Sequence, residues 1–154
     1  DNNEKKLKIS KKLGANYIVN PDKSDVIKKI NYLTNNKGVD YGIDCAGKTS
    51  TIELTFSIIN KSNGTCIFCS HPTFGKKIKI DPFELISGKK IQGSWGGSIQ
   101  PDTDIKIIAK KFQKFKKYFQ SITAKEYSLN NINKAINDLK KGNVMRPIIA
   151  FDKD

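Results

Sequence analysis

Short apolar runs alternate along this chain with stretches whose apolar residues recur at helical spacing. The clearest run is TCIFCS, residues 65–70. It is almost continuously apolar, as expected of a strand with both faces covered. Before it, STIELTFSIIN (50–60) reads as a helix closed near Asn63 and Gly64. Strand–helix alternation around apolar strands specifies a parallel α/β sheet.

The rest of the chain keeps this rhythm. Residues 3–13 read as a helix closed by Gly14. YIVN (17–20) reads as a strand, and SDVIKKINYLT (24–34) as a helix with Ser24 at its N-cap. VDYGIDC (39–45) and KKIQGSW (89–95) read as strands, as does KKIKI (76–80) with its lysines outward. PFELIS (82–87) is a helical turn, and a helix follows at 102–118. The end repeats the pattern: a strand near 125–128, a helix at 130–141 and the strand RPIIAF (146–151). There is no internal repeat and no low-complexity linker. A length of 154 residues suits a domain with a real core.

A formal net charge of +13 raises nucleic acid as a partner. The composition argues against it. Arg146 is the sole arginine, whereas base readers favour arginine forks and aromatic stacking. The lysines are spread along the chain with abundant Asn and Ile, as an A/T-biased coding sequence gives. The densest basic run, KIIAKKFQKFKK (106–117), reads as an amphipathic helix carrying Ile107, Ile108, Phe112 and Phe115 on one face. No apolar run approaches the roughly 20 residues that span a bilayer. DNNEKKLKIS lacks the apolar stretch of a secretory leader. Three cysteines, an odd count, suit a reducing cytoplasm. A cytoplasmic protein with neither a membrane nor a nucleic-acid partner is therefore expected. Because the first residue is Asp and not Met, a fragment or processed chain is also expected.

GTCIFCSH (64–71) superficially resembles a metal site. In a strand, however, Cys66 and Cys69 point to opposite faces and cannot share an ion or a disulfide. Cys69 and His71 share a face, but two ligands are too few. The alternative is that Cys66 is core, with Cys69, Ser70 and His71 at the carboxyl end of a central strand. Ligands bind at that end in doubly wound sheets. GVDYGIDCAG (38–47) and GSWGG (93–97) end their strands in small residues too. Three strand ends thus leave backbone open to a ligand.

These segments together resemble the C-terminal half of a zinc-containing, medium-chain alcohol dehydrogenase. The resemblance runs from Asp1 to Phe151. It rests on DNNEKKLKISKKLGANYIVNP, GVDYGIDCAG, GTCIFCSHP, DPFELISGKKIQGSWGG and KAINDLKKGNVMRPIIAF. It implies a partial Rossmann domain, a doubly wound parallel sheet lacking its first two strands, over residues 1–122. Residues 123–154 would form a strand-helix-strand returning to the catalytic domain. It also implies hydride transfer between an alcohol or aldehyde substrate and NAD, with zinc in the full-length enzyme only.

By that resemblance Asp1 holds the adenosine ribose hydroxyls, and its charge favours NAD over NADP. Lys6 reaches the same ribose. Cys45, Ala46, Gly47 and Lys48 pass the two riboses. Cys69, Ser70 and His71 address the nicotinamide carboxamide, as do Ser94 and Trp95. Arg146 pairs with the pyrophosphate, where a guanidinium fork suits two anionic oxygens. No acid, base or metal ligand is implied here, and His71 is a lining residue.

The sequence departs from the family in three respects. GSWGG is one residue shorter than the animal-type segment and resembles a bacterial branch. The glycine-rich phosphate turn, the zinc ligands and the proton-relay hydroxyl have no counterpart. Strands 17–20 and 39–45 lack the neighbours that the order 3-2-1-4-5-6 gives them. A chain of this extent is expected to be marginal or aggregation-prone, to bind NAD weakly and to be inactive alone, with a bare groove beside 39–45. The whole protein would be a homodimer or homotetramer. A zinc-free quinone or enoyl reductase of the same superfamily, and a non-catalytic NAD-binding module, are the rival readings.

Overall fold

A computed structural model describes residues 1–120 and 125–151. It comprises two compact units. The first contains Asp1–Lys8 and Asn16–Ile99; the second contains Ile9–Ala15 and the described residues from Gln100 onward. The expected boundary at 122–123 lies outside the described residues.

The first unit is built on a three-stranded parallel sheet: β1 (Tyr41–Asp44), β2 (Thr65–Phe68) and β3 (Lys90–Gly93), in the order β1-β2-β3. The register aligns Gly42, Cys66 and Ile91 in one row and Asp44, Phe68 and Gly93 in the next. These rows share a face, because side chains repeat with period two along a strand. Helix α3 (Thr49–Ile58) covers that face. Ile52 and Phe56 of α3 are buried, as are Ile59 and Cys66. The cluster of Phe56, Ile59 and Cys66 also packs Val39, Ile80 and Ile91.

Among the described residues, the opposite face of β1 is open. Tyr41 and Ile43 of β1 are 71% and 64% exposed. Cover on both faces was implied for residues 65–70, and there Cys66 is buried while Thr65, Ile67 and Phe68 are half-buried. β1 also lies at an edge of the sheet, as the truncated strand order implies.

The helices start where short polar side chains can take up free amides. Asn3 Oδ1 accepts from the amides of Lys5 and Lys6 at the start of α1 (Glu4–Lys12). Asp25, and not Ser24, caps α2 (Val26–Leu33), accepting from Lys28 N at 3.0 Å. Asp81 caps α4 (Pro82–Ile86) through Phe83 N at 2.9 Å.

Two expected strands are not strands. Residues 17–20 run without a ladder partner among the described residues; the Asp1 ammonium donates to Val19 O at 3.2 Å. Residues 76–80 keep Lys76, Lys77 and Lys79 outward and Ile80 on the core, but Lys79 N donates to a side chain, Glu53 Oε1, at 2.8 Å. Apolar alternation alone does not make a strand, because the backbone needs a second chain segment to pair with.

Two charged side chains are buried in this unit, Asp44 and Lys89. Lys89 is 3% exposed. Its Nζ donates to Glu84 Oε1 at 2.7 Å and Phe56 O at 2.9 Å, and lies 4.8 Å from the Phe56 ring centroid. Lys89→Met keeps the aliphatic stem but leaves those acceptors without their donor. It is expected to lower stability by about 1–3 kcal/mol in denaturant unfolding.

In the second unit, α5 (Pro101–Gln120) keeps Ile105, Ile107, Ile108 and Phe112 exposed; the Phe115 side chain lies outside the described residues. Strands β4 (Glu126–Ser128) and β5 (Ile148–Ala150) pair in parallel, joined through α6 (Ile132–Lys140). Tyr127 and Ala135 are buried. Asp138 Oδ2 accepts from Tyr127 Oη at 2.7 Å and Lys125 Nζ at 3.0 Å. The Tyr127, Lys125 and Asn143 hydrogen bonds hold the Asp138 carboxyl well below the usual range.

Candidate functional site

The strands of the first unit all run the same way, so their carboxyl ends share one edge. The ladder extends just past them: Cys69 N donates to Asp44 O at 3.1 Å, and Ser94 N to Phe68 O at 2.9 Å. Three segments therefore leave the sheet side by side: Cys45–Lys48, Cys69–His71 and Ser94–Gly97.

Asp44 holds the first two together. It is 4% exposed. Its Oδ2 accepts from Ser70 Oγ at 2.7 Å and Gly47 N at 3.2 Å. Burial pushes its carboxyl up, but hydrogen bonds from Thr51, Ser70, Gly47 and Ala46 outweigh that and leave it below its ordinary value. The side chain is a fixed anion that shapes a turn.

Gly47 makes the turn possible. Its φ is +72°, a conformation that L side chains rarely adopt. A Cβ there would lie 3.3 Å from both Ser70 Cβ and His71 O. The turn after β1 is thus closed down on the segment after β2.

Aromatic rings join the second and third segments. His71 and Trp95 meet edge to face, with centroids 4.5 Å apart and planes at 85°. Trp95 is 81% exposed, so one large ring face is open to a ligand. Beyond it, Gly96 has open space where a side chain would stand.

Of the residues singled out from the sequence, Cys45, Gly47, Cys69, Ser70, His71, Ser94 and Trp95 are gathered by these contacts. Ala46 and Lys48 lie in the same turn, both exposed. Asp1 and Lys6 stand at the start of α1, where Asp1 Oδ1 accepts from Asn3 N at 2.8 Å. Arg146 is an exposed residue of the second unit, just before β5. Sequence reasoning passed over Asp44 as a site residue. Its signal was an acidic residue on the Gly42 side of an apolar strand.

Cys45 and Cys69 form a contact no periodicity suggested. Their Sγ atoms are 3.4 Å apart, and Cys69 Sγ also donates to Asp44 O at 3.4 Å. The hydrogen bond with Cys69, then burial, push the Cys45 thiol up. Cys66, on the other face, is 0% exposed.

A parallel sheet whose carboxyl edge is lined by glycine-containing turns and an edge-to-face His–Trp pair is Rossmann-like in architecture. The chain belongs to the zinc-binding dehydrogenase family: the profile of that description matches residues 1–114. It is 30% identical to alcohol dehydrogenase-like 2 of Arabidopsis thaliana over 159 residues, covering 99% of this chain and 40% of that protein. It is 26% identical to the class-3 alcohol dehydrogenase of Oryza sativa, again over 99% of this chain and 40% of the relative. Among solved structures, benzyl alcohol dehydrogenase from Acinetobacter calcoaceticus superposes with a TM-score of 0.89 at 27% identity, over 97% of this chain and 41% of that one. The chain thus spans about 40% of the length of the curated relatives it matches.

The site fits a dinucleotide better than a metal. Open glycine backbone and an exposed aromatic face suit a flat, hydrogen-bonding ring. Among the described residues no group of three or more His, Cys, Asp or Glu side chains is placed to hold a metal ion. Zinc therefore has no fitting site in the residues described. No described helix is long and apolar enough to cross a membrane.

Proposed function

We propose that this chain is the cofactor-holding portion of an NAD-dependent alcohol dehydrogenase. The observation that carries the reading is the convergence of the Gly47 turn, Ser70 and the His71–Trp95 pair at one carboxyl edge. NAD, when bound, accepts a hydride from an alcohol carbon or, reduced, returns it to an aldehyde. The residues here bind and orient it. The turn 45–48 passes the riboses, and the exits 69–71 and 94–95 present backbone and ring faces to the nicotinamide. Asp1 favours NAD over its 2′-phosphorylated form. The reading assigns no acid, base or metal ligand to these residues, and residues 1–154 alone do not turn over alcohol.

Isothermal titration of residues 1–154 with NADH tests this. Weak, saturable binding that NADPH does not match is the expected result. A Kd in the micromolar range, worth about 8 kcal/mol, would contradict the view that this chain supplies only part of the cradle. No binding of either dinucleotide at any attainable concentration would remove the cofactor reading itself.

A further inference from the structure

We propose that Cys45 and Cys69 form a reversible intrachain disulfide, a modification site at the carboxyl edge of the sheet. The inference does not depend on the cofactor reading.

The geometry needs little change. Asp44 and Phe68 are register partners, and the Cys69 N to Asp44 O bond carries the ladder one residue further. Cys45 and Cys69 are therefore cross-strand neighbours. Adjacent strands lie about 4.7–4.9 Å apart, inside the usual Cα separation of a disulfide. Alternation turns both side chains to the face that Tyr41 and Ile43 leave open. The two sulfurs are already in contact at 3.4 Å, and a bond requires closing to about 2.05 Å. Both residues are exposed, so an oxidant reaches them. Cys66 is buried against Phe56 and Ile59 and stays out of the exchange.

The oxidant is a peroxide. One sulfur, as thiolate, attacks a peroxide oxygen: an S–O bond forms, the O–O bond breaks and hydroxide leaves. The second sulfur then attacks that sulfenic acid: the S–S bond forms, the S–O bond breaks and the oxygen departs as water. The two sulfurs lose two electrons, and hydrogen peroxide is reduced to two waters. A dithiol reverses the reaction by exchange.

The whole chain is reduced, exposed to hydrogen peroxide, denatured and alkylated, then cut after lysine and mapped by mass. Cys45 lies in the peptide 38–48, and Cys66 and Cys69 both lie in 62–76. Fragmentation therefore has to separate those two. The expected product joins 38–48 to 62–76 through Cys69, carries the alkyl group on Cys66 and reverts with dithiothreitol. Separate sulfinic acids, a link through Cys66 or a link between chains would overturn the proposal. Cys69→Ser changes an exposed position and is expected to abolish the loss of two hydrogens. Retention of that loss in the variant would overturn it equally.

Discussion

Asp44→Ala is expected to destabilise the chain by about 3–4 kcal/mol, because several donors, Ser70 and Gly47 among them, lose a charged acceptor at once. Ser70 Oγ and Gly47 N both point at Asp44 Oδ2 from different segments. Without it, the turn after β1 and the exit of β2 keep the backbone bond from Cys69 N and the Cys45–Cys69 contact but lose the side-chain clamp. Urea unfolding measures the loss, and NADH titration should lose its weak saturable phase in the same variant. A change within about 0.5 kcal/mol, the range of an ordinary surface position, would mean that the clamp carries no energy. Asp44→Asn separates charge from shape. The carboxyl lies below its ordinary value in the folded chain. Its contribution is therefore fully present above the unfolded carboxylate range and fades as pH falls through the lower folded value. The Asn variant should lack that part of the acid destabilisation while remaining less stable near neutrality.

What could be read from the residues, and what could not, follows from the range of each signal. TCIFCS was legible because period two acts within one strand: it put Cys66 and Cys69 on opposite faces, and Cys66 is core while Cys69 is exposed. The three exits, two of them with glycines and one with Cys69 and Ser70, were legible for a similar reason, since each is a local strand end. Partners were not. YIVN has strand composition, yet no described segment pairs with it. Ser24 and Asp25 are both good caps, and only the backbone path decides between them; Asp25 sits extended at φ −67° and ψ 112° with its side chain on Lys28 N. The Cys45–Cys69 contact and the Asp44–Ser70 bond link residues 24 and 26 apart. Such contacts depend on strand register, which no window of sequence contains. The family resemblance named residues 45–48, 69–71 and 94–95 within one set, and the geometry adds contacts that link their segments, the buried Asp44 carboxylate and the edge-to-face His71–Trp95 pair.

Gly88→Ala is the substitution from which the largest loss of stability is expected, about 4 kcal/mol, combining strain at an unfavourable φ with a backbone clash. Gly88 closes α4 and leads into β3 with φ at +116°. A Cβ built there would lie 2.0 Å from Ser62 O and 2.9 Å from Ser62 C. Both are main-chain atoms, so no rotamer change relieves the overlap. The displaced backbone would be that of the next residue as well. Lys89 is threaded between Glu84 and the Phe56 carbonyl, and Lys90 N donates to Gly64 O at 2.8 Å at the head of the β2–β3 ladder. A shift at Gly88 therefore reaches the buried lysine and the first rung of the sheet together. The prediction is that Gly88→Ala shows no cooperative thermal transition under conditions where the parent chain does. A control at Gly75, where φ is +81° but nothing lies within 4 Å of the added methyl, should lose only the backbone strain, about 1–2 kcal/mol. Equal losses at the two positions would show that φ alone decides and that the Ser62 contact contributes nothing.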